Sequence, residues 1–312
     1  MLSAVDDTAR RRAPRAWALW KASRPSQLLL IVAVYALGVA VAVARGATLA
    51  EPPLLAGLAA LLPTAAGVHY ANEYADYETD ALTERTPFSG GSGALHTTGL
   101  PRRLTAKATV VALTVGGVAA ALLALEGLLS RRGAGLLAAI GVLGVQYSVP
   151  PLAFSRRGLG ELVNALLGGL ALPWYGAAVV GGLDRQAALA VLPFAVFVFV
   201  NLLETQWPDR RADADIGNDT LAVRWPARRL RAAYALCVVA GFAALLALTD
   251  GVLSAAPDVL PWTVTLATLP ATPLFAWGTA RYTRREAPYS AVVGMVLVAV
   301  LQLLAWTYVA VG

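Results

Sequence analysis

The sequence predicts an all-α, polytopic membrane protein: nine transmembrane helices in a bundle around a central cavity open to the cytoplasmic side. Three observations carry this. The chain is 58% hydrophobic and only 14% charged, with a mean hydropathy of +0.62, whereas a soluble domain carries about a quarter charged residues. Nine charge-free stretches of 18 to 26 residues lie between charged neighbours, and about 20 apolar residues of helix cross a hydrocarbon core. Threading the chain through nine alternating crossings places 21 of its 25 Lys and Arg residues on one side, which by the positive-inside rule is the cytoplasm.

In chain order, residues 1–24 form a basic cytoplasmic segment that includes Arg10, Arg11, Arg12 and Arg15. The first stretch, 25–44, has 20 uncharged residues. A signal peptide's apolar region is about 7–15 residues long, so a retained helix is expected. The second stretch, 52–72, leads into a cytoplasmic loop over 73–107. An uncharged window within that loop, 86–101, is too rich in Gly, Pro, Ser and Thr to span. Stretches 108–125, 133–155, 162–183 and 186–203 follow, then a second cytoplasmic loop over 204–231, then 232–249, 259–280 and 287–312. With nine crossings the N-terminus is cytoplasmic, the C-terminus is outside, and the protein is integral to the cell membrane. The net charge of +6 follows from this topology and gives no reason to invoke nucleic acid. The single Cys237 excludes a disulfide framework and reads as an inert buried thiol. With only His69 and His96, a histidine-based metal site is not expected, and a metal would be held by oxygen.

The chemistry concentrates where the second and sixth spans reach the cytoplasmic face. Asn72, Asp76 and Asp80 recur every four residues, and on a continuing helix they form one ladder of oxygen ligands. Asp209 and Asp213 repeat that spacing after the sixth span. Four spans separate the motifs, so both lie on one side, as a parallel internal duplication would place them. Carboxylates at membrane depth cost about 2.5–3.5 kcal/mol each and usually mark a functional path. Two acidic ladders facing one cavity would repel unless cations bridged them. Mg2+ suits them, since it takes one or two carboxylates and completes its shell with water and phosphate. A diphosphate held this way becomes a good leaving group, and a long apolar tail would lie in the bundle, so the natural substrate is a prenyl diphosphate. Glu78, Glu84, Asp215 and Asp219 lie off the ladders and read as solvated or helix-capping acids.

These residues resemble the motifs of the UbiA superfamily of intramembrane prenyltransferases. N-x-x-x-D-x-x-x-D after the second span is similar to the family's first aspartate-rich motif. Asp209, Asp213, Gly217, Thr220 and Leu221 are similar to its second. Tyr147-Ser148-x-Pro150-Pro151, followed by Arg156-Arg157-Gly158, resembles the segment whose basic residue meets diphosphate, and Arg24-Pro25 resembles the usual entry to the first span. The likeness in span number and motif order covers essentially the whole chain, as a single domain. It implies that Asn72, Asp76, Asp80, Asp209 and Asp213 bind Mg2+ and diphosphate. It also implies that Arg24, Arg85, Tyr147, Ser148 and Arg156 contact phosphate or acceptor. Arg156 and Arg157 also have a purely topological reading, and Tyr147 that of an interfacial anchor.

Three departures stand out. Glu73 replaces a common Asp, a longer acid still within reach of a cation. Arg156 replaces a common Lys, supplying a planar fork suited to phosphate. Thr86–Gly93 is glycine-rich where many members are Arg-Pro-rich, and it serves either as a backbone cradle or as a flexible lid. His96 reads as structural, and His69 either as a satisfied core histidine or as part of the acceptor cavity. The implied reaction is Mg2+-dependent transfer of a polyprenyl group to a hydrophobic acceptor in the membrane lipid. The contexts Pro208-Asp209 and Thr220–Arg224 are most like those of quinone-pathway members acting on a dihydroxynaphthoate-type ring. The alternatives are a lipid, carotenoid or porphyrin-type acceptor within the family or, from other classes, a secondary transporter or a CDP-alcohol phosphotransferase.

Overall fold

A computed structural model of the chain describes residues 2–82, 91–252 and 259–312. Two short helices, α1 (Leu2–Arg12) and α2 (Pro14–Ala22), precede α3 (Pro25–Ala44). They are followed by α4 (Glu51–Ala75), α5 (Tyr77–Leu82), α6 (Ala94–Thr98), α7 (Arg103–Leu125) and α8 (Arg131–Ser148). Next come α9 (Gly160–Leu166), α10 (Leu172–Val179), α11 (Arg185–Ala190), α12 (Leu192–Thr205), α13 (Arg210–Asp215) and α14 (Leu221–Arg224). The chain ends with α15 (Ala227–Ala247), α16 (Trp262–Thr268), α17 (Thr272–Arg281) and α18 (Tyr289–Val311). Among the described residues the only extended pairing is one bridge between Thr249 and Leu260.

Helix starts follow local chemistry. Pro25 opens α3, Pro193 lies in the first turn of α12 and Pro273 in that of α17, where the absent N–H costs nothing. Ser130 caps α8 by accepting from the Gly133 amide at 3.1 Å, and Asp184 caps α11 through the Ala187 amide at 2.6 Å. Between α9 and α10 the helix widens into a π turn over Leu167–Ala171. Pro173, just beyond, offers no N–H to the carbonyl four residues back.

Seven of the nine uncharged stretches form helices long and apolar enough to cross a membrane: α3, α4, α7, α9–α10, α11–α12, α15 and α18. The other two are helical but weaker. Stretch 133–155 lies on α8, which has 18 residues, opens on Arg131 and Arg132, and is rich in glycine. Stretch 259–280 is divided between α16 and α17 by a tight 3-10 turn over Leu269–Ala271, where Pro270 interrupts the backbone bonding.

Helix α3 packs between α10 and α18, α4 against α7 and α8, and α12 against α9, α15 and α18. The core is aromatic, with Tyr35, Tyr175, Phe194, Phe197, Tyr234, Phe275 and Trp306 all essentially buried. By contrast α7 turns Val110, Val111, Val115, Val118, Leu122 and Leu125 outward, an apolar face suited to lipid. Where backbones approach closely the sequence supplies glycine. A methyl group on Gly38 would collide with the Pro173 carbonyl oxygen, whereas one on Gly117 would meet nothing within 4 Å. Gly38→Ala should therefore lower stability by about 1–3 kcal/mol, despite a helix-propensity gain of about 1 kcal/mol. Gly117→Ala should be neutral or better. Thermal unfolding of both variants in one detergent checks this, and equal midpoints would contradict the close α3–α10 contact.

Candidate active site

The first acidic motif starts on α4 and bends. Asp76 leaves helical geometry (φ −94°, ψ 7°) and ends α4, so Asn72, Asp76 and Asp80 are not on one continuous helix. The four-residue register survives the bend, because the Asp76 amide donates to the Asn72 carbonyl at 2.9 Å and the Asp80 amide to the Asp76 carbonyl at 2.8 Å. The second motif follows α12. Asp209 sits at the N-cap of α13 and Asp213 within it, with the Asp213 amide donating to the Asp209 carbonyl at 2.9 Å. Asp213 is 7% exposed, and Asn218 Nδ2 donates to its carboxylate at 3.0 Å.

The two motifs meet: α13 packs against α5. The Asp76 carboxyl is pushed up to about 7, first by burial and then by the like charge of Asp80. Asp213 of the second motif pushes the same way, while Arg24 and Arg156 pull against both. Burial also raises Asp213, opposed by its bond from Asn218. This influence of Asp213 on Asp76 agrees with the packing of α13 against α5.

Four of the expected basic and polar partners, Ser148, Arg156, Tyr147 and Arg24, are described near this junction. Ser148 Oγ donates to Asn72 Oδ1 at 3.2 Å. Arg156 donates from Nη2 to the Ala75 carbonyl at 2.8 Å, beside Asp76, and its Nε is buried without a hydrogen-bond partner. The Tyr147 hydroxyl lies beside Gly160 at the start of α9. Arg24, in left-handed geometry at φ 53°, donates to Glu73 Oε1 from Nε at 3.1 Å and from Nη2 at 2.8 Å. Arg85 and Thr86–Gly90 lie outside the described residues.

Glu73 is used differently from a cation ligand. It is 4% exposed, and its remaining oxygen, Oε2, accepts from Ser92 Oγ at 2.6 Å, while the Ser92 amide donates to Oε1 at 2.8 Å. Its extra methylene carries the carboxylate to Arg24 and to the loop. Next to Ser92, Gly91 (φ +65°) presses its backbone onto the Asp80 carboxylate, where a Cβ would collide with Oδ2. Glu161, fully buried, accepts from the Leu221 amide at 2.9 Å and so fixes the loop after the second motif.

Of the off-ladder acids, Glu84 lies outside the described residues and the other three are peripheral. Glu78 meets Arg102 at 3.2 Å on the surface, Asp219 meets Arg224 at 2.7 Å, and Asp215 is exposed. His96 bonds the Tyr77 carbonyl at 2.9 Å and stacks on that ring, and His69 bonds the Ser23 carbonyl at 2.7 Å. Both histidines are structural in these contacts. Cys237 is a partly buried free thiol.

The donor set consists of carboxylate and amide oxygens, which favours a hard cation. Among the described residues no three His, Cys, Asp or Glu side chains form an all-protein cage. Mg2+ takes one or two carboxylates and completes its shell with water and phosphate. The crowding of Asp76 by Asp80 and Asp213 is what a shared cation would relieve, so the residues fit such an ion.

The family model of the UbiA prenyltransferase family matches residues 29–298. The chain belongs to the UbiA prenyltransferase family. No curated protein matches the sequence significantly. Among solved structures, the chain is similar to a UbiA homologue from Archaeoglobus fulgidus bound to GPP and Mg2+. The two are 16% identical, with a TM-score of 0.68 over 95% of this chain and 100% of that one. The same homologue bound to DMAPP and Mg2+ gives 15% and 0.66, covering 94% and 99% of the two chains. A digeranylgeranylglyceryl phosphate synthase is similar at 13% identity and a TM-score of 0.66, over 95% of this chain and 99% of that one. At these identities the likeness is one of fold.

Within the UbiA fold, sequence reasoning gave no role to Asn218 or Glu161, and it read Gly91 and Ser92 only as part of the glycine-rich loop. Glu161 had a signal, since an acid at the mouth of an apolar span is costly unless it has a task. Ser92 and Asn218 had none, because their partners are set by tertiary packing.

Proposed function

We propose that the protein transfers a polyprenyl group from a prenyl diphosphate to a hydrophobic acceptor, in a cavity where Asn72, Asp76, Asp80, Asp209 and Asp213 hold Mg2+ and diphosphate. The convergence of the two acidic motifs, with α13 against α5, is the observation that carries this reading. Bound Mg2+ would neutralise the diphosphate and ease its departure with the C–O electron pair. The chain's own part is positional. Arg156 presents its guanidinium beside Asp76, with one buried nitrogen left for an oxyanion. Arg85 and Arg24 add positive charge, Ser148 orients Asn72, and Tyr147 lines the acceptor side. The apolar bundle keeps water from the allylic cation until the acceptor attacks and loses its proton.

This reading takes all nine stretches as spans of a single domain, including α8 and the α16–α17 pair, with the motif loops 73–107 and 204–231 in the cytoplasm. The skewed distribution of Lys and Arg supports that orientation. An aromatic quinone precursor is the proposed acceptor, on the sequence context of Asp209 and Thr220–Arg224. Purified protein in detergent, offered a panel of prenyl diphosphates with a dihydroxynaphthoate, a prenylated glycerol phosphate and a carotenoid, should yield one prenylated product by mass. Activity should require Mg2+ or Mn2+, vanish in EDTA and not return with zinc. Full turnover in metal-free buffer overturns the site, and a lipid product overturns only the choice of acceptor.

A further inference from the structure

At the end of the bundle that carries the acidic motifs, α12, α17 and α18 border a half-open cavity of about 270 Å³. Leu274, Trp277 and Val293 form its apolar side, Glu204 its floor, and Arg281 and Arg285 its basic side. We propose that this cavity binds an anionic glycerophospholipid of the surrounding membrane, with its phosphate between Arg281 and Arg285 and the start of its chains along Trp277 and Val293.

The apolar side leads outward, since Trp277 is 58% and Val293 46% exposed on helices whose outer faces meet lipid. Both arginines are exposed at the mouth, and among the described residues neither forms an ion pair. Their neighbour Glu286 is already taken by Arg210, in a two-pronged bridge at 2.7 and 2.9 Å. Arg281 instead lies over the Trp277 ring at 5.6 Å, which fixes a planar donor fork at the boundary between polar and apolar surface. Glu204 is 6% exposed, and its two oxygens accept from Tyr234 at 2.9 Å and from Ser290 at 2.7 Å. A free anion would leave the apolar side unused, whereas a phosphate attached to acyl chains engages both. Basic pockets between helices at the cytoplasmic face suit such headgroups.

The test is native mass spectrometry of the full chain released from vesicles of phosphatidylglycerol and phosphatidylcholine. The wild type should retain phosphatidylglycerol selectively. Arg281→Gln/Arg285→Gln should lower retention, by roughly fivefold per arginine, and Arg281→Lys/Arg285→Lys should lower it less. The control is Arg228→Gln/Arg229→Gln on α15, an exposed pair outside the cavity whose Arg229 lies over Trp225 at 4.1 Å. Equal loss in the control would reduce the effect to general attraction at the interface and overturn the site. Displacement by inorganic phosphate alone would make it an anion site, and preferential displacement by geranyl diphosphate a second substrate site. Either outcome overturns the lipid assignment. If the double glutamine variant cannot be purified, Val293→Trp fills the cavity and leaves both arginines in place. Lost retention then supports the proposal, and unchanged retention overturns it.

Discussion

Asp76→Asn and Asp209→Asn should each lower prenyl transfer about 100- to 1,000-fold, the scale of removing one electrostatic stabiliser from a preorganised site. Each change removes a charge with almost no change in volume, so the helices should still fold. The two residues belong to different motifs, one at the end of α4 and the other at the start of α13. If they hold one cation–diphosphate cluster, the double variant should lose far less than the product of the single losses, because residues acting as a unit are non-additive. Glu78→Gln is the control. Glu78 is 78% exposed and pairs with the surface Arg102, where an ion pair contributes about 0–1 kcal/mol, so transfer should be nearly unchanged. Rates are to be taken at saturating prenyl diphosphate and several Mg2+ concentrations, so that a weakened cation site appears as a raised Mg2+ requirement. Well-folded Asp76→Asn and Asp209→Asn variants with near wild-type rates would make the aspartates helix caps and remove the site.

Seven helices long and apolar enough to cross a membrane, and the four-residue register of the first motif, were legible because both are patterns of spacing. A run such as 25–44 shows its role by the absence of charge, and the expected shared side of Asp76 and Asp209 agrees with the packing of α13 on α5. What proved illegible depends on contacts distant in the chain. Ser148 meets Asn72 across 76 positions and Arg24 meets Glu73 across 49; no local periodicity encodes either. The bend at Asp76 was hidden for a different reason. Its four-residue hydrogen-bond register continues through the bend, so spacing alone reads as an unbroken helix. The weakness of α8 and the break between α16 and α17 were visible in Arg131, Arg132 and Pro270, but an uncharged window does not register glycine content or a 3-10 turn. Glu73 was read by its chemistry as a longer acid able to reach a cation, whereas the fold commits both of its oxygens to Arg24 and Ser92.

That commitment leads to the second large effect, at Glu73 itself. Glu73→Gln keeps the shape but leaves the Arg24 guanidinium beside a neutral amide, and breaking a buried pair from one side costs about 3–5 kcal/mol. Arg24→Gln should cost a comparable amount. The double variant Arg24→Gln/Glu73→Gln should lose clearly less than the sum, since neither charge is then left uncompensated. Ser92→Ala removes one hydrogen bond to a charged oxygen, about 1.5–3 kcal/mol, and should loosen the loop without unpairing Arg24. Because Gly91 rests on the Asp80 carboxylate, all of these variants should also slow transfer, through the placement of Asp80. Chemical unfolding in detergent gives the stabilities, and Mg2+ titration of the rate separates positioning from ligation. In the positioning role Glu73→Gln lowers stability and rate together. A Glu73→Gln protein as stable as the wild type, with a Mg2+ requirement raised as far as in Asp76→Asn, would instead make Glu73 a cation ligand.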